Sequence, residues 1–153
     1  MADLTTGTTI TASTRDGGWT LSGSDGIEGR VRGDELELGD ITLTLQRTGM
    51  RTEFVTGTGV PMLRFDRAGR KATTLTTSSA RFRLARQRPR PLLQRWLVTR
   101  DVHGDALLSV SRTPLGIRVR LDDVDEVPAG ERAALVLGAL VEVLEVVPST
   151  AAA

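Results

Sequence analysis

Apolar and polar side chains alternate with a period of two through most of this chain. Ile41-Thr-Leu-Thr-Leu45, Arg81-Phe-Arg-Leu84 and Ile117-Arg-Val-Arg-Leu121 each put every second residue on one face, the pattern of a half-buried strand. Turn signals such as Asp16-Gly17-Gly18, Ser24-Asp25-Gly26, Arg32-Gly33-Asp34 and Gly39-Asp40 separate the alternating runs every six to twelve residues. The spacing predicts about twelve short strands: Thr8–Ala12, Trp19–Ser22, Glu28–Arg32, Glu35–Leu38, Ile41–Arg47, Arg51–Val55, Met62–Asp66, Lys71–Leu75, Arg81–Leu84, Trp96–Arg100, Ala106–Arg112 and Ile117–Leu121.

The pattern changes after Pro128. In Ala133–Val147 (AALVLGALVEVLEVV) twelve of fifteen residues are apolar and surround a helical wheel on every side. A helix without a polar face must be enclosed by protein or lipid. Fifteen residues fall short of the roughly 20 that cross a bilayer core, and Glu142 and Glu145 interrupt the run. Enclosure by protein is therefore expected, for a helix over 129–147 that starts just behind Pro128.

An eight-stranded barrel is filled by its own side chains, whereas about a dozen strands can close around a helix of about 10–12 Å diameter. A seven-stranded pleckstrin-homology-like barrel with a capping helix is the competing layout, but its helix is amphipathic. The sequence thus predicts a mainly β fold, a closed antiparallel barrel of about 12 strands around a central hydrophobic C-terminal α-helix. Residues 1–147 form one domain and 148–153 a frayed tail.

Charge is unevenly distributed. Arg64 to Arg100 holds eleven basic residues and one acid, Asp66, whereas the rest of the chain holds 9 basic and 18 acidic residues. Lys71, Arg81, Arg83, Arg86, Arg88, Arg90 and Arg95 flank the Pro-containing loop Gln87–Pro91 and form the candidate anion-binding surface. The alternative is that these arginines pair with the chain's own acids or are simply solvated. Trp96 beside them suits either a membrane interface or, more commonly, the core.

Other chemistry is sparse. Cysteine is absent, which excludes disulfides, thiolate metal sites and Cys nucleophiles. His103, the single histidine, sits in the Asp101–Gly104 turn and has neither a triad nor a His-rich metal site around it. Asp122-Asp123-Val124-Asp125-Glu126 lacks EF-hand spacing and reads as an acidic flank favoured by the helix dipole. Glu142 and Glu145 sit where that dipole disfavours them, so each is expected to meet an arginine of the strands.

Two segments share an Asp-x-x-Gly turn, Phe65-Asp66-Arg67-Ala68-Gly69 and Arg100-Asp101-Val102-His103-Gly104. With the many short strands and the Ala133–Val147 helix, they make the chain resemble the tubby C-terminal-like superfamily. That superfamily includes the LURP-one-related proteins, the phospholipid scramblases and small bacterial relatives. The resemblance implies a closed twelve-stranded barrel threaded by its C-terminal helix. Tubby proteins bind phosphoinositides through basic residues, but no motif maps that pocket onto positions here.

The resulting expectation is a non-catalytic binding module with no cofactor and no metal, cytoplasmic and peripheral at the membrane. It would meet anionic phospholipid through its arginine-rich surface, and its binding would weaken when Arg86, Arg88 and Arg90 become Ala. The other reading is a scaffold domain that binds an acidic protein, with no lipid or nucleic-acid role. Nucleic acid is disfavoured because no aromatic platform accompanies the basic run.

Overall fold

The computed structural model describes residues 4–15, 17–48, 51–67, 72–87, 93–100, 104–114 and 116–146. Its strands are β1 Thr9–Arg15, β2 Gly18–Gly23, β3 Glu28–Arg32, β4 Glu35–Leu38, β5 Ile41–Thr48, β6 Arg51–Val55, β7 Pro61–Arg67, β8 Ala72–Thr76, β9 Arg81–Arg86, β10 Gln94–Thr99, β11 Ala106–Thr113 and β12 Gly116–Leu121. One helix, α1, spans Ala129–Val146. Each strand pairs antiparallel with its sequence neighbours, and β1 pairs with β12 to close the barrel. The expected fold class is the one observed. Closure leaves no unpaired sheet edge.

Period-two alternation sends one side chain in two inward. Leu43 and Leu45, Phe82 and Leu84, and Ile117, Val119 and Leu121 are all buried. The space they surround is occupied by α1, in which every residue from Ala133 to Leu144 apart from the side-chain-free Gly138 has a buried side chain. Glu131 in the first turn of α1 accepts a hydrogen bond from Ser79 Oγ, in the turn between β8 and β9, at 2.7 Å. Glu142 Oε1 accepts one from Thr73 Oγ1, near the start of β8, at 2.8 Å. The eleven residue steps from one glutamate to the other span about 16 Å of helix rise, so α1 runs through the barrel parallel to its wall. We call the end where α1 begins the entry end and the other the exit end.

Gly138 shows how close the helix lies to the wall. A Cβ there would meet Leu63 Cδ2 at 2.7 Å, with Phe65 and Phe54 just beyond. The two phenylalanines stand edge to face, centroids 5.1 Å apart. At the entry end polar contacts join the segment before α1 to the rest of the barrel. Thr6 Oγ1 donates to Asp125 Oδ1 at 2.8 Å, Arg100 pairs with Glu126 at 3.0 Å, and Arg132 donates to the carbonyls of Val127 and Leu4. The acidic flank 122–126 is therefore engaged in structural bonds, and no group of three or more metal-ligating side chains gathers among the described residues. No helix among the described residues is long and apolar enough to cross a membrane.

Candidate functional site: an acid-free arginine wall

The strand order gathers charge that the sequence spreads out. Six adjacent strands, β8 to β12 and β1, contain eight arginines and no Asp or Glu. The other six, β2 to β7, contain six arginines and five acids. In that mixed half, arginines meet carboxylates: Arg30 with Glu37 at 3.1 Å, Arg47 with Asp34 at 3.7 Å and Arg64 with Asp66 at 3.2 Å. In the acid-free half, Arg81, Arg83, Arg95, Arg112 and Arg118 have no ion pair among the described residues. Arg120 finds one, with Asp122 at 3.1 Å just beyond the end of β12.

The expected site residues separate into three groups. Arg81 and Arg83 alternate with the buried Phe82 and Leu84 and so stand on the outer wall, as does Arg95 beside the buried Trp96. Arg86 is different. β9 continues two residues past the predicted end at Leu84, which returns Arg86 to the inward-facing parity at the exit end. There it is the register partner of Trp96, with its guanidinium carbon 5.8 Å from the indole centroid. Trp96 is only 4% exposed, so it belongs to the core. Lys71, Arg88 and Arg90 lie outside the described residues, as do His103 and the tail 148–153.

Register decides what surrounds each outward arginine. Arg81 pairs with Thr76, and Arg83 with Thr74 on one side and Thr99 on the other. Arg95 pairs with Ser111, Ser111 with Arg118, and Arg118 with Thr11. Hydroxyls therefore occupy the cross-strand positions where carboxylates would neutralise the wall. Arg118 and Ser111 were not among the expected site residues. The alternation in β12 shows that Arg118 points outward, but only the register reveals that it shares a row with Arg95.

Beside this row, a surface groove of about 400 Å³ is lined by Thr11, Leu93, Ser111, Thr113, Gly116, Ile117 and Arg118. It opens next to the last β1–β12 register pair, Ala12 with Ile117. Among the lining residues is Gly116, whose φ of +139° suits a residue without a side chain, and whose Cβ would stand 3.1 Å from Ala12 O. A second cavity of about 240 Å³ lies at the entry end between the start of α1 and Leu4, Ile27, Leu38 and Ile41, with Asp40 on its lining. It is mainly apolar, and its charged neighbour is of the opposite sign to the wall.

Chemically, the wall presents four outward guanidinium groups, those of Arg81, Arg83, Arg95 and Arg118, with no carboxylate partner among the described residues. Guanidinium keeps its charge across the accessible pH range and bonds oxyanions in a planar fork. No protein-family model, no curated protein and no solved structure matches this chain.

Proposed function

We propose that the protein is a non-catalytic module that docks on an anionic phospholipid surface through the outward arginines of β9, β10 and β12. One observation carries this reading: half of the barrel wall has no carboxylate, and four of its outward arginines, Arg81, Arg83, Arg95 and Arg118, have no ion pair among the described residues.

The wall's shape is compatible with a flat partner. β9 to β12 span three strand spacings, roughly 15 Å, or a quarter of the twelve-strand circumference. For a barrel radius of roughly 12 Å, strands at the edges of that quarter fall back from a tangent plane by roughly 3–4 Å. An extended arginine spans that gap, and its apolar stem can lie along the wall. At about 1 kcal/mol per arginine near an anionic leaflet, four supply about 4 kcal/mol, a dissociation constant of about 1 mM. The interaction is thus weak and steeply salt-sensitive.

The test is co-sedimentation with phosphatidylcholine vesicles, with and without phosphatidylserine, over a salt series. Binding should require phosphatidylserine, fall with salt and disappear in the Arg81→Ala/Arg83→Ala/Arg95→Ala/Arg118→Ala variant. Absence of binding at low salt would overturn the reading. Salt-sensitive capture of an acidic protein by the same arginines, without vesicle binding, would replace it with the scaffold reading.

A further inference from the structure

The row Arg95–Ser111–Arg118–Thr11 is more specific than a diffuse positive field. Ser111 is the direct register partner of both arginines, so one hydroxyl lies between two guanidinium-bearing positions. Their Cα atoms are two strand spacings apart, roughly 10 Å, a separation two arginine side chains can close by leaning over a serine. Thr11 adds a second hydroxyl on the far side of Arg118. Arg95, Arg118 and Thr11 are exposed and Ser111 is half-buried, so the row is open to solvent.

We infer that this row, with the groove beside it, is a binding site for a phosphomonoester dianion. A carboxylate has two oxygens in one plane and is satisfied by a single guanidinium fork. A phosphomonoester has three terminal oxygens in a tetrahedral arrangement and can accept from two forks and a hydroxyl at once. Gly116 adds no side chain to the groove lining, and Leu93 offers an apolar contact to the ester's carbon side.

A second Arg–hydroxyl–Arg row exists, Arg64–Thr76–Arg81, and the Thr76 hydroxyl is buried without a partner. There Asp66 already holds Arg64 at 3.2 Å and brings a carboxylate to the place an anion would occupy. Among the described residues the β10–β11–β12–β1 row has no such competitor.

The inference deepens the phospholipid reading and rests on it for the source of the ester, a lipid headgroup as opposed to a free phosphate. The test begins with amide and arginine side-chain NMR shifts during titration with inorganic phosphate and with glycerol phosphate. Saturable shifts should centre on Thr11, Arg95, Ser111 and Arg118. Affinity should fall about tenfold or more in Arg118→Ala, from the loss of a charged hydrogen bond. Ser111→Asp should abolish binding, while Arg30→Ala, in the mixed half of the barrel where Glu37 already holds that arginine, should leave it unchanged. Shifts spread evenly over all surface arginines, or affinity untouched by Arg118→Ala and Ser111→Asp, would overturn the site.

Vesicles of matched surface charge then identify the source. Tighter binding to phosphatidic acid than to phosphatidylserine, reversed by Ser111→Asp, places the ester on a lipid. Phosphate binding without any vesicle binding supports the site with a free phosphate and removes the membrane reading. Phosphatidylserine binding with no phosphate response removes the site and retains that reading.

Discussion

The contact between Gly138 and Leu63 predicts a mutation whose sign depends on its background. Replacing Gly by Ala inside a helix gains about 1 kcal/mol of intrinsic propensity. Here the new methyl would sit 2.7 Å from Leu63 Cδ2, whereas carbon atoms rest at about 3.5–4.0 Å. Leu63 is 1% exposed and hemmed in by the rings of Phe54 and Phe65, so it must yield inside a packed core. Such overpacking costs about 1–3 kcal/mol, which leaves Gly138→Ala destabilised by about 1 kcal/mol net. Leu63→Val removes the obstructing Cδ2, suits a strand and costs about 1 kcal/mol by itself. In that background Gly138→Ala should stabilise by up to about 1 kcal/mol, because propensity remains and the clash is gone. The coupling energy of the double-mutant cycle is then about 2 kcal/mol. Urea unfolding followed by the fluorescence of the buried Trp96 measures all four proteins. Equal effects of Gly138→Ala in both backgrounds would refute the close approach of α1 to β7.

Three further substitutions test the polar groups at the exit end. Thr73→Val removes the hydroxyl that donates to the buried Glu142 at 2.8 Å, and should lower stability by about 1–3 kcal/mol in denaturant titration. Glu142→Gln keeps an acceptor for Thr73, so a destabilisation as large as that of Thr73→Val would show that the charge itself has a cationic counterpart. Arg86→Ala should cost no more than about 1 kcal/mol, since the cation–π contact is solvent-exposed, and should shift Trp96 emission to the red as water reaches the indole. An unchanged emission maximum would place Arg86 away from Trp96 in solution.

Strand existence was legible because burial on one face writes a period of two into the sequence. β3, β4 and β6 begin and end where the alternation does. β9 runs past Leu84 to Arg86 because a barrel mouth tolerates a charged residue at an inward position where its guanidinium stays exposed and faces an aromatic ring. β1 extends to Arg15 for a related reason: Ser13 and Thr14 are both exposed, so no alternation marks them. The helix was legible from the opposite signal, apolarity without a polar face. The site was only half legible. Alternation fixes that Arg81, Arg83, Arg95 and Arg118 point outward, but which of them share a row depends on register. Turn lengths and the irregularity between Val98 and Thr99 set that register, and no residue type announces either.

The same register decides what each arginine on the wall meets. An arginine on a sheet is neutralised by whatever stands opposite it. Between β3 and β4 that residue is a glutamate, and Arg30 is held by Glu37 through two hydrogen bonds of 3.1 and 3.3 Å. Between β10, β11 and β12 it is a serine, which offers a neutral hydroxyl in place of a charge and leaves both guanidinium forks with donors to spare. Repulsion between the two arginines is small without a ligand, because both are exposed, can point their charges apart into water and are screened there with a Debye length of about 8 Å at physiological salt. The fold therefore carries this unneutralised row at little cost, and the barrel interior, filled by α1, cannot offer an anion a better place. Among the described residues the chain brings no carboxylate to this row, and the proposed phosphomonoester is the oxyanion that would meet it.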